Sequence, residues 1–151
     1  MIAALFGRVA PDGHAEVEAI LPTELLLRLF RGMERRDQRH AIAVVRRLKT
    51  DGVGEADLLV AALLHDCGKG SVPVWLRIAY VLTPAIVLRV GREDGDGWSG
   101  AAHRLAAHAA CGAGLAAAAG ATAATVRLIS GTVEASEREM LHLLRRADDA
   151  S

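Results

Sequence analysis

The feature that most constrains this chain is the contrast between its many alanines and its few aromatic residues. Alanine occurs 29 times, whereas there are only two Phe, two Trp and one Tyr. Alanine is the strongest helix former, and aromatic residues are among those that favour strands. The contrast predicts an all-α protein whose helices approach one another closely through small residues, and it argues against a β-rich fold.

Length and charge narrow the class of protein further. A chain of 151 residues with 52% hydrophobic residues is too apolar for a disordered protein and suits one globular domain, which we expect to span residues 1–151. Its 18 basic residues balance 18 acidic ones. Because the chain has no overall positive field to collect a polyanion, we expect no nucleic-acid polymer as a partner.

The cysteines and the N-terminus favour the cytoplasm. Cys67 and Cys111 are the only cysteines, which are too few for a disulfide framework, and neither lies in a C-x-x-C pattern. The apolar start of the chain lacks the basic residues and the length of a signal peptide. Residues 72–90 are apolar but contain Arg77 and Arg89. We therefore expect no membrane span there, but a buried helix pair or a contact with a membrane surface or a second copy of the chain.

Glycine, proline and capping residues divide the sequence into about seven helical pieces, beginning with a helical N-terminal lobe over residues 1–33. The fourth helix is apolar almost all round and is expected to be the most buried. A third helix is predicted from Glu34 or Asp37 to Asp51, and a fourth from Glu55 to Gly68 or Gly70. A polar loop is predicted over residues 91–100, followed by a helix from Ala101 to Ala119 that Gly120 closes. Thr122 is expected to cap the next helix, and a capping box from Ser136 to Glu139 is expected to open the last one.

Residues 63–70 read Leu-Leu-His-Asp-Cys-Gly-Lys-Gly and contain the most informative chemistry of the chain. A carboxylate at the end of an apolar helix is costly to bury unless it has a partner, and a divalent cation is a partner that removes the cost. Imidazole and carboxylate together suit Mn, Fe, Zn or Mg. His65 and Asp66 are therefore predicted metal ligands. Gly68 is expected to let the backbone turn sharply, and Lys69 to supply a positive charge for an anionic phosphate.

Two neighbouring residues cannot complete a metal site, so further ligands must come from other helices. His40 is the first candidate, because it interrupts the apolar stripe of the preceding helix. Asp148 is the second, near the end of the last helix, although Asp149 beside it is an alternative.

The pattern of His40, then His65-Asp66 within Leu-Leu-His-Asp-Cys-Gly-Lys, then Asp148 resembles the H…HD…D signature of the HD superfamily of metal-dependent phosphohydrolases. The resemblance covers roughly residues 37–149. It implies a helical bundle in which His40, His65, Asp66 and Asp148 bind one divalent metal ion. It also implies hydrolysis of a phosphate ester, including nucleotides, in which Asp66 orients the attacking water and Lys69 neutralises charge on the phosphoryl group.

A second segment, His108-Ala-Ala-Cys-Gly112-Ala113, looks like the H-x-x-x-G-A pattern of the HD-GYP branch. That likeness makes His108 a candidate for a second metal site or for a phosphate contact, a role also considered for Arg127. The further histidines of that branch and its Gly-Tyr-Pro sequence are absent, so we do not expect this protein to degrade cyclic dinucleotides. These departures leave an alternative function, a catalytically weak or inactive HD module that binds metal or nucleotide and serves in regulation or interaction.

Overall fold

The computed structural model describes residues 11–69 and 97–151. These residues form seven α-helices, and no strand occurs among them, as the scarcity of aromatic residues predicts. The helices are α1 (Pro11–Ile20), α2 (Glu24–Arg31), α3 (Arg35–Thr50), α4 (Ala56–Leu64), α5 (Gly97–Ala118), α6 (Ala123–Ser130) and α7 (Arg138–Asp149), with short 3₁₀ turns at Cys67–Lys69 and Ala135–Glu137.

Helix α4 is the centre of the bundle. Every residue from Leu58 to Leu64 is buried, as its nearly uniform apolar composition predicts. Helices α1, α2, α3, α6 and α7 all contact it. Side chains from the N-terminal helices, among them Val17 and Phe30, belong to the same hydrophobic core as α4.

Two caps predicted from the sequence are present. Thr122 lies in an extended conformation before α6, and its hydroxyl accepts a hydrogen bond from the N–H of Thr125. Gly120 has φ of 88°, a left-handed conformation that a side chain disfavours, and it follows α5 as a closing glycine should. Local sequence signals therefore account for the sharp turn between α5 and α6.

Other boundaries differ from the predictions. Helix α4 ends at Leu64, so the His-Asp pair lies in the turn after the helix and not within it. Residues 97–100, predicted as loop, are the first turn of α5. The capping box is formed by Glu134 and Glu137, not by Ser136 and Glu139, because a 3₁₀ turn precedes α7.

The part of the chain that the structure describes contains no helix of the length and apolarity needed to cross a membrane. The apolar segment of residues 72–90 and the polar residues 91–96 lie outside the described residues.

Candidate metal centre

Three of the four predicted ligands meet at one end of the bundle. His40 comes from α3, His65 from the turn that follows α4, and Asp148 from the last turn of α7. The Nε2 atom of His40 lies 2.6 Å from Oδ1 of Asp148, and Nε2 of His65 lies 3.2 Å from the same oxygen. One donor atom from each residue lies within 4.8 Å of the other two, a spacing that could hold a single metal ion.

The two imidazole rings stand edge to face around the carboxylate. Their centroids are 5.6 Å apart and their planes are inclined by 61°. The rings therefore present their Nε2 atoms to Asp148 from different directions, as separate ligands of one ion must do.

His65 is held in a fixed orientation by the backbone of its own helix. Its Nδ1 lies 2.9 Å from the carbonyl oxygen of Ala62 and donates the ring proton to it, because a carbonyl can only accept. In the neutral ring, this bond leaves Nε2 with a lone pair and no proton. A hydrogen bond of this kind on the outer nitrogen is how metal-binding histidines are usually oriented.

The Nε2 atom of His65 is buried, and no described residue is in hydrogen-bonding geometry with it. A bare ring nitrogen and a carboxylate oxygen are both acceptors, and at 3.2 Å they repel each other unless a proton or a cation lies near both. This orphaned nitrogen and the mixed nitrogen and oxygen donors fit a borderline divalent cation such as Zn or Mn.

The ionisation of the cluster reflects the same close contacts. Burial opposes the charged form of His65, but the contact with Asp148 and the charge of Asp66 outweigh burial and raise the pKa of the imidazole. The contact with His65, together with the hydrogen bond from His40, holds the pKa of the Asp148 carboxyl well below its usual range, against the effect of partial burial. The protein thus holds a carboxylate beside a ring nitrogen that attracts a positive charge.

Asp66, the fourth predicted ligand, lies beside the cluster but is not part of the group of donors within 4.8 Å. Its Oδ1 is 3.6 Å from Nε2 of His65, whereas its Oδ2 forms an ion pair of 2.7 Å with Nζ of Lys69. The Asp66 side chain is only 10% exposed, while that of Lys69 is 46% exposed. Lys69 therefore neutralises a nearly buried carboxylate, and it does so at the edge of the cluster.

His108 lies outside the cluster of His40, His65 and Asp148. Its ring is exposed, and its Nδ1 is 3.4 Å from the carbonyl oxygen of Gly68 in the turn after α4. His108 thus touches the backbone of the His-Asp turn and does not join the three donors. Arg127 is held elsewhere, because its guanidinium donates hydrogen bonds to both carboxylate oxygens of Glu137, at 2.8 Å and 3.2 Å from Nε and at 2.5 Å from a terminal nitrogen.

The sequence interpretation missed why Gly68 and Gly112 are glycines. Gly68 does not have a positive φ, so a sharp turn does not explain it. A Cβ at Gly68 would collide with the carbonyl oxygen of His108 and lie 2.5 Å from the nitrogen of Gly112. The turn after α4 therefore packs directly on the backbone of α5. The occurrence of a glycine in each of the two motifs, with His108 four residues before Gly112, was the signal that could have indicated this contact.

Comparison with family models, with curated proteins and with solved structures found no match to this chain.

Proposed function

We propose that this protein is a metal-dependent phosphohydrolase of the HD type, acting in the cytoplasm on small phosphate esters, nucleotides among them. The observation that carries the proposal is the convergence of His40, His65 and Asp148 from three separate parts of the chain, with a buried ring nitrogen that has no hydrogen-bond partner within residues 11–69 and 97–151. Such a nitrogen is costly in a folded protein unless a ligand occupies it.

His40, His65 and Asp148 would hold one divalent ion, with the carboxylate of the adjacent Asp66 as a fourth ligand. When bound, a divalent ion polarises a phosphoryl oxygen and lowers the pKa of a coordinated water. Mn, Fe, Zn and Mg all accept this combination of nitrogen and oxygen donors.

The reaction breaks the P–O bond to the leaving group and forms a P–O bond to the oxygen of water. One proton of the water passes to the leaving oxygen, so the products are an alcohol and a phosphate. Asp66 orients the attacking water by accepting a hydrogen bond from it. Lys69, which is half exposed next to Asp66, neutralises negative charge that develops on the phosphoryl group.

The experiment combines metal analysis with a general phosphatase assay. The purified chain is loaded with Mn²⁺, Fe²⁺ or Zn²⁺, its bound metal is measured by mass spectrometry, and hydrolysis of p-nitrophenyl phosphate and its bis ester is followed. One equivalent of metal and metal-dependent hydrolysis are expected. Metal binding that survives the double change His65→Ala and Asp66→Ala would exclude the site.

Two matched pairs of variants separate the cluster from its surroundings. Asp148→Asn is compared with Asp149→Asn, which changes the neighbouring, exposed carboxylate, and His40→Ala with His142→Ala, which removes an exposed histidine of α7. We expect Asp148→Asn and His40→Ala to weaken metal binding by at least about tenfold and the other two to leave it unchanged. Equal effects within either pair would contradict the assignment.

The ion pair between Asp66 and Lys69 favours the second candidate, a regulatory module that binds metal or nucleotide without turnover. In this arrangement one oxygen of Asp66 is committed to Lys69 and its other oxygen faces His65. Stoichiometric metal binding with no hydrolysis of either ester, in the presence of each of the three metals, would support the module over the enzyme.

A further inference from the structure

The candidate metal centre is open to solvent on one side. The side chains of His40 and Asp148 are 30% and 39% exposed, whereas that of His65 is 14% exposed. The two exposed ligands belong to α3 and α7, and the more buried His65 follows α4. A substrate that binds to an ion held by these three residues would therefore approach it past α3 and α7.

Helix α6 ends at the same end of the bundle as the metal centre. At its start, the hydroxyls of Thr122 and Thr125 both donate to Oδ1 of Asp57, which lies in the first turn of α4. The two helices pack against each other and have eight and nine residues. Because their starts are joined and their lengths are nearly equal, their ends also lie together. Gly131, which follows α6, is therefore at the level of the His-Asp turn.

Arg145 lies at this end of the bundle. It is exposed and precedes Asp148 by three residues on α7, so the two side chains are neighbours on the helix surface. A Cβ on Gly131 would stand 3.5 Å from Nη2 of Arg145, which shows that the guanidinium lies against the end of α6. The helical register and the contact with Gly131 both place this guanidinium on the α7 side of the metal centre.

The charge of Arg145 is available for an anion. No hydrogen bond or ion pair joins its guanidinium to another residue within 11–69 and 97–151. Two other cations near the centre are already paired, since Nζ of Lys69 lies 2.7 Å from Asp66 and a terminal nitrogen of Arg146 lies 3.4 Å from Asp51. Arg145 is therefore the guanidinium near the metal centre whose donors are not shared with a carboxylate.

We propose that Arg145 binds the phosphoryl group of the substrate through two of its oxygens, and that this contact makes the protein prefer phosphate monoesters to diesters. The inference rests on the proposed function and narrows its substrate class. A guanidinium donates two parallel hydrogen bonds to the oxygens of one phosphate. With one further oxygen on the metal ion, the phosphoryl group must offer three non-bridging oxygens. A monoester has three, whereas a diester has only two.

A comparison of two esters with the same leaving group tests the preference. Hydrolysis of p-nitrophenyl phosphate and of its bis ester is measured on the metal-loaded protein and on Arg145→Gln. We expect the change to lower kcat/KM for the monoester by at least about tenfold, because a charge-assisted hydrogen bond is worth at least that factor, and to lower that for the diester much less. Arg145→Lys, which keeps the charge but not the planar fork, should fall between the two proteins.

Arg138 provides a matched control on the same helix. It is exposed and lies seven residues before Arg145, which places it on the same face of α7 but about 10 Å farther from Asp148. Arg138→Gln is expected to leave kcat/KM for both esters unchanged. A similar loss in Arg138→Gln and Arg145→Gln would show that general surface charge is responsible and would contradict the proposal.

The ratio between the esters also separates binding from a structural role. Arg145 stands at the C-terminal end of α6, where a cation stabilises the helix dipole. If stabilising α6 were its whole function, Arg145→Gln would lower Tm and would reduce hydrolysis of both esters by the same factor. That outcome would overturn the assignment of Arg145 as a substrate-binding residue.

Chemical labelling gives a result that does not depend on turnover. Phenylglyoxal modifies exposed guanidinium groups, and mass spectrometry measures the rate at each arginine. Inorganic phosphate should slow the labelling of Arg145 severalfold on the metal-loaded wild-type protein and leave that of Arg138 unchanged. Equal labelling of Arg145 with and without phosphate would overturn the proposal even if metal-dependent hydrolysis persisted. If the chain bound no metal and hydrolysed neither ester, the proposed function would be wrong, and labelling of the metal-free protein would still decide whether Arg145 binds phosphate.

Discussion

The contact between the His-Asp turn and α5 yields the sharpest prediction about stability. In Gly68→Ala the added Cβ meets backbone atoms of His108 and Gly112, not flexible side chains, and lies 2.5 Å from the nitrogen of Gly112. Backbone atoms of a helix cannot move aside individually, so the turn and α5 must separate. We expect a loss near the upper end of the usual cost of overpacking, about 3 kcal/mol in the free energy of unfolding.

Two glycines of α5, Gly112 and Gly114, provide a graded comparison with Gly68. A Cβ at Gly112 would lie 3.1 Å from the nitrogen of Gly68 and needs a shift of a few tenths of an ångström, whereas a Cβ at Gly114 meets nothing within 4 Å. Gly114→Ala should therefore stabilise the protein by about 0.5–1 kcal/mol through helix propensity alone. Gly112→Ala gains the same propensity but loses packing, and it should fall between the other two.

Thermal unfolding followed by circular dichroism measures the series. At about 2–4 °C per kcal/mol for a chain of this size, Gly68→Ala should lower Tm by about 6–12 °C and Gly114→Ala should raise it by about 1–4 °C. Because Asp66 lies two residues before Gly68, Gly68→Ala should also weaken metal binding. A Tm for Gly68→Ala equal to that of the wild type would refute the direct backbone contact between the turn and α5.

Three further predictions concern other parts of the structure. Thr125 is buried and its hydroxyl donates to Oδ1 of Asp57 at 3.1 Å, so Thr125→Val, which keeps the side-chain volume, should cost about 1–2 kcal/mol in chemical denaturation; an unchanged midpoint would contradict this. The hydrogen bonds from Arg127 lower the pKa of Glu137 from 4.5 to about 2. The stability that the ionised Glu137 contributes is therefore fully present above pH 4.5 and is lost as the pH falls towards 2. In Glu137→Gln, the free energy of unfolding should consequently depend less on pH in this acidic range. The pKa of His65 is raised above 6.5, and the ring must lose its proton to bind a metal ion. The affinity for Zn²⁺, measured by calorimetric titration, should therefore decrease as the pH is lowered, and the decrease should begin above pH 6.5. An affinity that does not depend on pH would argue against His65 as a ligand.

Much of the fold could be predicted from local sequence. The helical class follows from alanine content, and the caps at Thr122 and Gly120 follow from side-chain and backbone chemistry that acts over a few residues. The end of α4 was predicted too late, because a run of apolar residues continues to favour helix up to the histidine. The turn that follows Leu64 packs on α5, and a local sequence pattern does not contain that contact.

The candidate site, like the fold, could be predicted from the sequence only in part. The composition of residues 63–70 identifies His65 and Asp66 as unusual, since a polar pair after an apolar helix needs a partner. The sequence favoured Asp148 over Asp149 only through the resemblance to the H…HD…D signature, because both lie in the last turn of a helix whose rotation was unknown. In the structure Asp148 contacts both imidazoles, whereas Asp149 is exposed.

The sequence by itself determined an all-α chain and a short segment with the chemistry of a metal ligand pair, because helix propensity and the cost of burying charge depend on near neighbours. The tertiary structure decided which distant groups meet that pair. His40 and Asp148 are 108 positions apart and touch at 2.6 Å only because α3 and α7 cross beside the end of α4. The tertiary structure also committed Lys69 to Asp66 and left His108 on the backbone of Gly68, since both outcomes depend on how closely the turn approaches α5.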